Sequence, residues 1–322
     1  MRLLRLVPLI SVLAALPVFA QGQSTSYPNR PLRVVIGYPP GSGIDLVPRM
    51  VGERLLAKWG QPVVVENRSG ASGHIATEIV AKAAPDGYTL LAVPPAFATT
   101  PHMFPSLPFD PDAMVPVTVM VTQANVLIVP AGKLPQVRTL SGLIEAARAR
   151  PGQLNYGSAG IGGSHHLSME LLKMVAGVNL VHVPYKGNAA LAGFLSGEVD
   201  TGFFSVGSLL PHIKSGKMRA LAVGGQRRHP ELPDVPMLSE LMPGLVSATW
   251  SALLAPAKTP PDIVAKLNAA AVEALHHEGL QKRLAELHAD VIGNTPEQAA
   301  AFLREEKERW GKVIRAADVK AE

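Results

Sequence analysis

The sequence predicts an α/β fold of two doubly wound lobes joined by two hinge strands, with a helical C-terminal segment packing on the first lobe. Strand-like and helix-like patterns alternate along most of the 322 residues, which is typical of parallel sheets covered by helices on both faces. The order strand, Gly-rich turn, helix, strand occurs twice, from Leu32 to Glu66 and from Gln153 to Pro184. Both turns fall at the carboxyl ends of strands, where α/β sheets bind ligands, so we expect a cleft between the lobes.

In the first part of the chain, short apolar runs bounded by Gly and Pro turns predict buried strands. The segment 94–116 is rich in proline, and we expect it to be irregular. Amphipathic patterns between the apolar runs predict helices. Strands are predicted at 32–37, 62–66, 88–93, 117–121 and 125–129, and helices at 43–58 and 72–83.

The same alternation resumes in the second part and gives way to a helical tail. The apolar run Thr249 to Ala255 predicts a strand that returns the chain to the first lobe. Thr and Pro residues at the starts of the tail helices are good N-terminal signals. Helices are predicted at 140–150, 164–176, 187–196, 261–276, 279–287 and 296–316, and strands at 153–157, 179–184, 199–204 and 218–223. The predicted lobes are 27–124 with 250–322, and 125–249, with hinges near residues 124 and 250.

The N-terminus has the pattern of a secretory signal peptide. Arg2 and Arg5 precede the apolar stretch Leu6 to Ala20, which is shorter than the roughly 20 residues of a membrane span. Small residues near its end predict cleavage after Ala20, so residues 1–20 are a signal peptide and the mature chain is exported. The alternative is an uncleaved anchor.

The composition argues against several function classes. Cysteine is absent, so disulfides and thiol chemistry play no part. The net charge of +5 includes Arg2 and Arg5, and no basic stripe of the kind that binds nucleic acid is present. No nucleophile with an evident base, paired carboxylates or metal constellation stands out, since His166 and Glu170 lack a third ligand. We therefore expect neither an enzyme nor a bound metal or cofactor.

The turn from Tyr38 to Asp45 is the most informative segment. It places free backbone N–H groups at a helix N-terminus, which attracts anions, and it lacks the lysine of a P-loop. Gly41, Ser42 and Gly43 let the backbone approach a ligand closely. Asp45 is expected to cap these N–H groups or to accept a hydrogen bond from a ligand. The alternative is an ordinary βα turn.

Other polar turns are predicted at the same edge of the sheets. Ser158 and Ser164 flank the Gly-rich turn of the second lobe, and Tyr185 and Ser205 follow neighbouring strands. The spacing around Ser158 is not that of a hydrolase nucleophile elbow. Several backbone-lined turns that converge on one cleft favour binding over catalysis.

Eight short motifs, in this order and spacing, resemble the Bug (TctC-like) family of tripartite tricarboxylate transporter solute-binding proteins. They cover nearly the whole mature chain. The motifs are Tyr27 to Pro31, Tyr38 to Asp45, Gly60 to Arg68, Ala83 to Thr89, Pro151 to Tyr156, Val181 to Gly187, Leu232 to Pro236 and Leu254 to Pro256.

The resemblance implies a periplasmic-binding-protein type II fold and a monomeric periplasmic receptor. Such a receptor closes on a small organic carboxylate, a di- or tricarboxylate or an aromatic acid, and delivers it to integral-membrane permease subunits. The turn matching 38–45 would hold the ligand carboxylate. The expected ligand-binding residues are Tyr38, Pro39, Gly41, Ser42, Gly43, Asp45, Ser69, Ala71, Phe97, Ser158, Ala159, Ser164, Tyr185 and Ser205.

The chain departs from the family pattern at three places. Ile44 stands where a threonine is common, and Ser205 stands where an aspartate is common. The stretch around Phe97 is more apolar than in relatives. Loss of the aspartate disfavours an amino-acid ligand, and the apolar stretch favours a larger or aromatic carboxylate. Two other functions stay open from the sequence: a periplasmic sensor that signals without transport, and an exported hydrolase using Ser158.

Overall fold

The computed structural model describes residues 27–187 and 189–321, so the predicted signal peptide lies outside the described residues. Strands and helices alternate as expected, and an α/β fold of two lobes results. The strands are β1 (Leu32–Ile36), β2 (Val63–Asn67), β3 (Thr89–Val93), β4 (Val115–Pro130), β5 (Asn155–Ser158), β6 (Val181–Pro184), β7 (Gly202–Ser205), β8 (Met218–Val223), β9 (Ala248–Ala255) and β10 (Asp290–Val291). The helices are α1 (Gly43–Trp59), α2 (His74–Ala81), α3 (Ala96–Met103), α4 (Leu140–Ala149), α5 (Ser164–Ala176), α6 (Ala189–Ser196), α7 (Val206–Lys214), α8 (Leu238–Leu241), α9 (Pro261–Leu275), α10 (Glu278–Glu286) and α11 (Pro296–Ala316).

The first lobe is a sheet in the order β10-β4-β9-β3-β1-β2. β1 pairs in parallel with both β2 and β3, as the predicted βαβαβ unit requires, and β9 lies antiparallel between β3 and β4. Buried aliphatic side chains of α1, α9 and α10 cover one face of this sheet. The loops at the carboxyl ends of β1 and β3 are therefore held on a rigid layer.

The second lobe is built on the last residues of β4. Antiparallel β7 and β8 pair with β4 there, and β5 pairs in parallel with β6. A bridge between Tyr156 and Thr201 joins the β5–β6 pair to the segment before β7. Large buried side chains, including Tyr156, Phe194 and Phe203, fill the lobe. The carboxyl ends of β5, β6 and β7 consequently meet at one edge.

β4 is one continuous strand of 16 residues, whereas the sequence predicted two strands at 117–121 and 125–129. Its first part pairs with β9 in the first lobe, and its last part belongs to the second lobe. At the crossing point, the Asn125 N–H donates to the Ser247 carbonyl at 3.0 Å, and the Asn125 amide donates to the Ser247 hydroxyl at 3.1 Å. Both residues are fully buried, so this pair marks the point where the chain crosses between the lobes.

α3 lies in the segment that we expected to be irregular. Pro95 is its N-cap, a position where a missing N–H costs nothing, and the helix continues in spite of Pro101. The helix brings the first lobe against the second, because the Thr99 hydroxyl donates to the Gly162 carbonyl at 3.2 Å. The lobes thus touch at this point as well as at the Asn125–Ser247 crossing.

The C-terminal helices pack mainly on the first lobe. α9 and α10 bury their apolar faces against the core beneath α1. α11 begins on the first lobe, where Ala299 and Leu303 are buried, and its last turns place Trp310, Val313 and Ile314 in the core of the second lobe. Among the residues that the structure describes, no helix is long and apolar enough to cross a membrane.

Candidate functional site

A cleft of about 790 Å³ opens between the lobes, and an adjoining cleft of about 600 Å³ shares part of its lining. The shared lining residues come from both lobes and include Tyr38, Pro94, Ala159, His165 and Thr249. The cleft lies at the carboxyl ends of β1, β3, β5, β6 and β7, which is where an α/β sheet binds its ligand.

The N-terminus of α1 forms part of the first-lobe wall. Its N-cap residue, Ser42, makes no side-chain capping bond, because its hydroxyl donates instead to the Pro39 carbonyl at 2.8 Å. Gly43 and Ile44 occupy the first two helical positions and line the cleft. The N–H groups of these positions have no partner within the helix, so they are available to a ligand.

Two helices of the second lobe present the same kind of terminus. α5 has Gly163 as its N-cap and α7 has Ser205, and neither helix has a side-chain capping bond. Ser164 and His165 of α5, and Gly207 of α7, line the cleft. Three helix N-termini without side-chain caps therefore face one cavity, and each carries roughly half a positive charge.

Two tyrosines, Tyr38 and Tyr185, contribute aromatic rings to the cleft lining. Burial raises the pKa of Tyr38 to about 12. Burial, reinforced by Glu198, raises the pKa of Tyr185 to about 12. Both hydroxyls therefore stay protonated and uncharged at neutral pH. The Tyr38 hydroxyl donates to the Ser72 carbonyl at 3.4 Å, and the Tyr185 hydroxyl is buried against Gly193 of α6. The ionisable side chains in the cleft lining are Tyr38, His165, Tyr185, Lys186, Glu286 and His288.

The structure places nine of the predicted ligand-binding residues in the cleft lining and five outside it. Those in the lining come from the turn after β1 and from the turns after β5, β6 and β7. The nine are Tyr38, Pro39, Gly41, Ser42, Gly43, Ala159, Ser164, Tyr185 and Ser205.

Asp45 is a correction to the prediction, because its carboxylate is 2% exposed and lies outside the cleft lining. Its oxygens accept hydrogen bonds from the Gly41 N–H at 2.9 Å, from Arg49 at 2.9 and 2.8 Å, and from the Asn67 amide at 2.8 Å. Burial alone would raise the pKa of Asp45, but these bonds outweigh it and hold the pKa at about 2. Asp45 therefore shapes the turn and leaves no oxygen for a ligand.

Ser158 is a second correction, since its side chain is fully buried beneath the Gly-rich turn. Its hydroxyl lies 2.7 Å from Nε2 of His182 and 3.1 Å from the Gly160 carbonyl. The His182 ring stacks on that of His166, whose Nδ1 accepts the Gly162 N–H at 3.0 Å. Ser158 thus supports the turn from behind and does not reach the cleft.

Ser69, Ala71 and Phe97 also lie outside the lining of the main cleft. Ser69 and Ala71 are exposed, and the same turn presents Ser72 to the cavity instead. Phe97 packs against the core of the first lobe and lines a small pocket behind Tyr38. The aromatic character at Phe97 therefore carries no direct information about the ligand in the main cleft.

The geometry of this cleft has counterparts among known proteins. A family model described as tripartite tricarboxylate transporter family receptor matches residues 47–319. The chain belongs to this receptor family. Protein BugT of Bordetella pertussis is similar to it, with 34% identity over 326 residues that cover 99% of each chain. The resemblance to the Bug family is thereby confirmed.

Solved structures of similar receptors confirm the fold class. Rpa4515 of R. palustris with adipate is 34% identical to this chain and has a TM-score of 0.79. The match covers 91% of this chain and 99% of Rpa4515. MatC from Rhodopseudomonas palustris with bound malate is 32% identical and has a TM-score of 0.75. The match covers 89% of this chain and 100% of MatC. This receptor therefore shares its two-lobed architecture with carboxylate-bound proteins.

Sequence reasoning missed several lining residues of this receptor. His165 was not among the predicted ligand-binding residues, and the three positions Thr249, Trp250 and Ser251 of β9 were assigned only to the return strand. The sequence pattern of β9 gave no indication that these three residues line the cleft. For His165, its place in the first turn of α5, directly after the Gly-rich turn, was the usable signal.

Proposed function

We propose that this receptor captures a small organic carboxylate in the cleft between its lobes and delivers it to the membrane permease of a tripartite transporter. The observation that carries the proposal is the convergence of three helix N-termini, those of α1, α5 and α7, on one cavity without side-chain caps. Main-chain N–H groups in such positions bind carboxylates directly.

Capture would proceed by closure of the lobes about the Asn125–Ser247 crossing. A carboxylate at the N-terminus of α1 and the N-terminus of α5 contacts both lobes at once, so it binds the closed arrangement more tightly than the open one. The difference in affinity shifts the population toward closure. The Thr99–Gly162 hydrogen bond is a further contact between the lobes and would stabilise the closed state.

The proposed ligand class is a di- or tricarboxylate or an aromatic acid. The adipate and malate of the two solved relatives support an acid with more than one polar end. In this chain, Lys186 and the N-termini of α5 and α7 lie on the second-lobe side, opposite Tyr38 and Gly43 of the first lobe. Both ends of a diacid would therefore meet donors.

The location and partner follow from the family and from the N-terminal pattern. A receptor of this family that carries a cleavable signal peptide acts in the periplasm, where its liganded form meets a permease. The cleavage after Ala20 is part of the proposal, since residues 1–20 lie outside the described structure.

A thermal-shift screen tests the ligand class. The panel contains adipate, malate, citrate, benzoate, glutamate and, as a neutral control, adipamide. A ligand that binds only the folded state at about 100 times its Kd adds about 2.7 kcal/mol to stability, so at least one acid raises the Tm and adipamide does not. A panel in which no acid raises the Tm contradicts the proposal.

A pair of variants at one position tests the role of the helix terminus. Ser164 is the first residue of α5, and its predecessor Gly163 has φ −76° and ψ 167°, which proline accepts as a neighbour. Ser164→Pro removes the N–H and the hydroxyl, whereas Ser164→Ala removes only the hydroxyl. A hydrogen bond to a charged group contributes about 1.5–3 kcal/mol, so calorimetry should give a Kd at least about tenfold weaker for the proline variant. Equal Kd values in two folded variants would exclude this N–H from the site.

A further inference from the structure

His165 is placed in the cleft in a way that the proposed function does not yet use. It is the second residue of α5, it is half-buried, and it lines both parts of the cavity. Its ring lies against Phe204, with ring centroids 4.6 Å apart and an angle of 30° between planes. The imidazole is therefore fixed beside the uncapped N-terminus of its own helix.

The ring of His165 differs from the rings of His166 and His182 in having no hydrogen-bond partner among the residues that the structure describes. Among the hydrogen bonds of the described residues, none involves either of its ring nitrogens, whereas His166 accepts from Gly162 and His182 is bonded to Ser158. Burial lowers the pKa of His165 to about 4. In the empty cleft the ring is thus neutral at physiological pH, with hydrogen-bonding capacity left for a ligand.

We propose that His165 takes up a proton from solvent when a carboxylate binds, so that this receptor captures its ligand together with one proton. The inference rests on the proposed function. Two costs keep the empty ring neutral: its desolvation and the positive end of α5. A carboxylate beside the ring offsets both, because an opposite charge within a few ångströms stabilises the imidazolium.

The other ionisable groups around the cavity influence how readily His165 is protonated. Tyr38 lies in the loop after β1, and Tyr185 and Lys186 lie in the loop after β6. The two phenols are uncharged, whereas the ammonium of Lys186 opposes protonation of His165. Glu286 and His288 approach from the end of α10, and the carboxylate of Glu286 favours protonation. His166 faces away into the buried stack. His288 is the second histidine in the cleft lining, so the experiment includes a variant at this position.

Proton uptake predicts the direction of the pH dependence. The pKa of His165 is higher in the complex than in the free protein, so affinity rises as pH falls between the two values. If the ion pair restores the ordinary pKa near 6.5, affinity rises about tenfold from pH 8 to pH 5.5. Carboxylic acids stay ionised over this range, because their pKa values lie near 4.

Calorimetry of the full mature chain tests the proposal, with adipate or malate as the probe or, where neither binds, the acid of the panel with the largest thermal shift. Titrations in two buffers of different ionisation enthalpy count the protons taken up, and a pH series gives the slope of Kd. His165→Gln keeps hydrogen-bonding capacity and cannot titrate, so we expect it to bind with no proton uptake and a flat pH profile. His276→Gln, at an exposed position after α9, is the matched control and retains the wild-type uptake.

The outcomes separate the inference from the proposed function. Uptake that persists in His165→Gln and disappears in His288→Gln overturns the assignment to His165. Binding of the probe by wild-type protein with no proton uptake between pH 5.5 and 8 overturns the proton linkage and leaves the carboxylate receptor standing. Failure of every acid to bind contradicts the proposed function itself.

Discussion

The buried histidine stack of the second lobe should make this receptor sensitive to acid. The rings of His166 and His182 stack with centroids 3.8 Å apart at 8°, and the Tyr156 ring lies against both, 4.8 Å from His182 and 6.2 Å from His166. Burial, the neighbouring imidazole and Lys173 lower the pKa of His166 to about 3. The stack holds Gly162 through Nδ1 of His166, which accepts a hydrogen bond only while that nitrogen is unprotonated.

The sign and size of the effect follow from the two pKa values. Unfolded histidine has a pKa near 6.5, so below that pH the unfolded chain binds a proton that the folded protein excludes down to about pH 3. The free energy of unfolding is therefore fully retained above pH 6.5 and falls as pH decreases. At pH 5 the loss from His166 alone is about 2 kcal/mol, at 1.36 kcal/mol per pH unit.

Urea unfolding at pH 7, 6 and 5, followed by tryptophan fluorescence, measures this loss. His166→Asn places an amide oxygen near the position of Nδ1 and removes the titration, so its loss between pH 7 and 5 should be about 2 kcal/mol smaller than that of wild type. His276→Asn, at an exposed site, should keep the wild-type slope. A wild-type stability that stays constant from pH 7 to 5, or a His166→Asn slope as steep as wild type, would refute the reasoning.

Two further substitutions test contacts that shape the cleft. Asp45→Ala removes the carboxylate that accepts hydrogen bonds from Arg49 and Asn67, and it should lower the free energy of unfolding by about 1.5–3 kcal/mol, the contribution of a hydrogen bond to a charged group. Glu53→Ala removes an exposed pair with Arg283 and should change it little. Equal urea midpoints for the two variants would contradict the structural role of Asp45. Thr99→Val removes the hydrogen bond to Gly162 and should lower the free energy of unfolding by about 1 kcal/mol, which a lower Tm of the ligand-free protein would show. An unchanged Tm would mean that this contact between the lobes is not formed in solution.

Local signals in the sequence were enough for most of the fold. The helices at 164–176 and 296–316 and the strand at 218–223 were predicted with the bounds that the structure has, because each has clear apolar periodicity and a distinct end. α3 was missed since its prolines suggested an irregular segment, although the first turn of a helix has N–H groups to spare. β4 was divided in two because polar residues interrupt its apolar run at the hinge.

The candidate site was predictable as a set of turns and less so as a set of side chains. Residues of the turns at 38–45 and 157–164 line the cleft, and the sequence indicated both turns because backbone geometry follows from glycine spacing and the strand–helix order. The burial of Asp45 depends on Arg49 and Asn67, and that of Ser158 depends on His182. Contacts between residues of different elements leave no local pattern, so these two roles came only from the structure.

The single strand β4 also constrains how the chain can reach its native state. β4 places Thr122 opposite Trp250 of β9, and the Thr122 hydroxyl donates to the Thr249 carbonyl, 127 residues along the chain. The sheet of the first lobe can therefore be completed only after the intervening segment has been synthesised. Contacts of such long range slow folding. Pairing of β4 with β9 therefore requires the intervening segment to be compact enough to bring the two strands together.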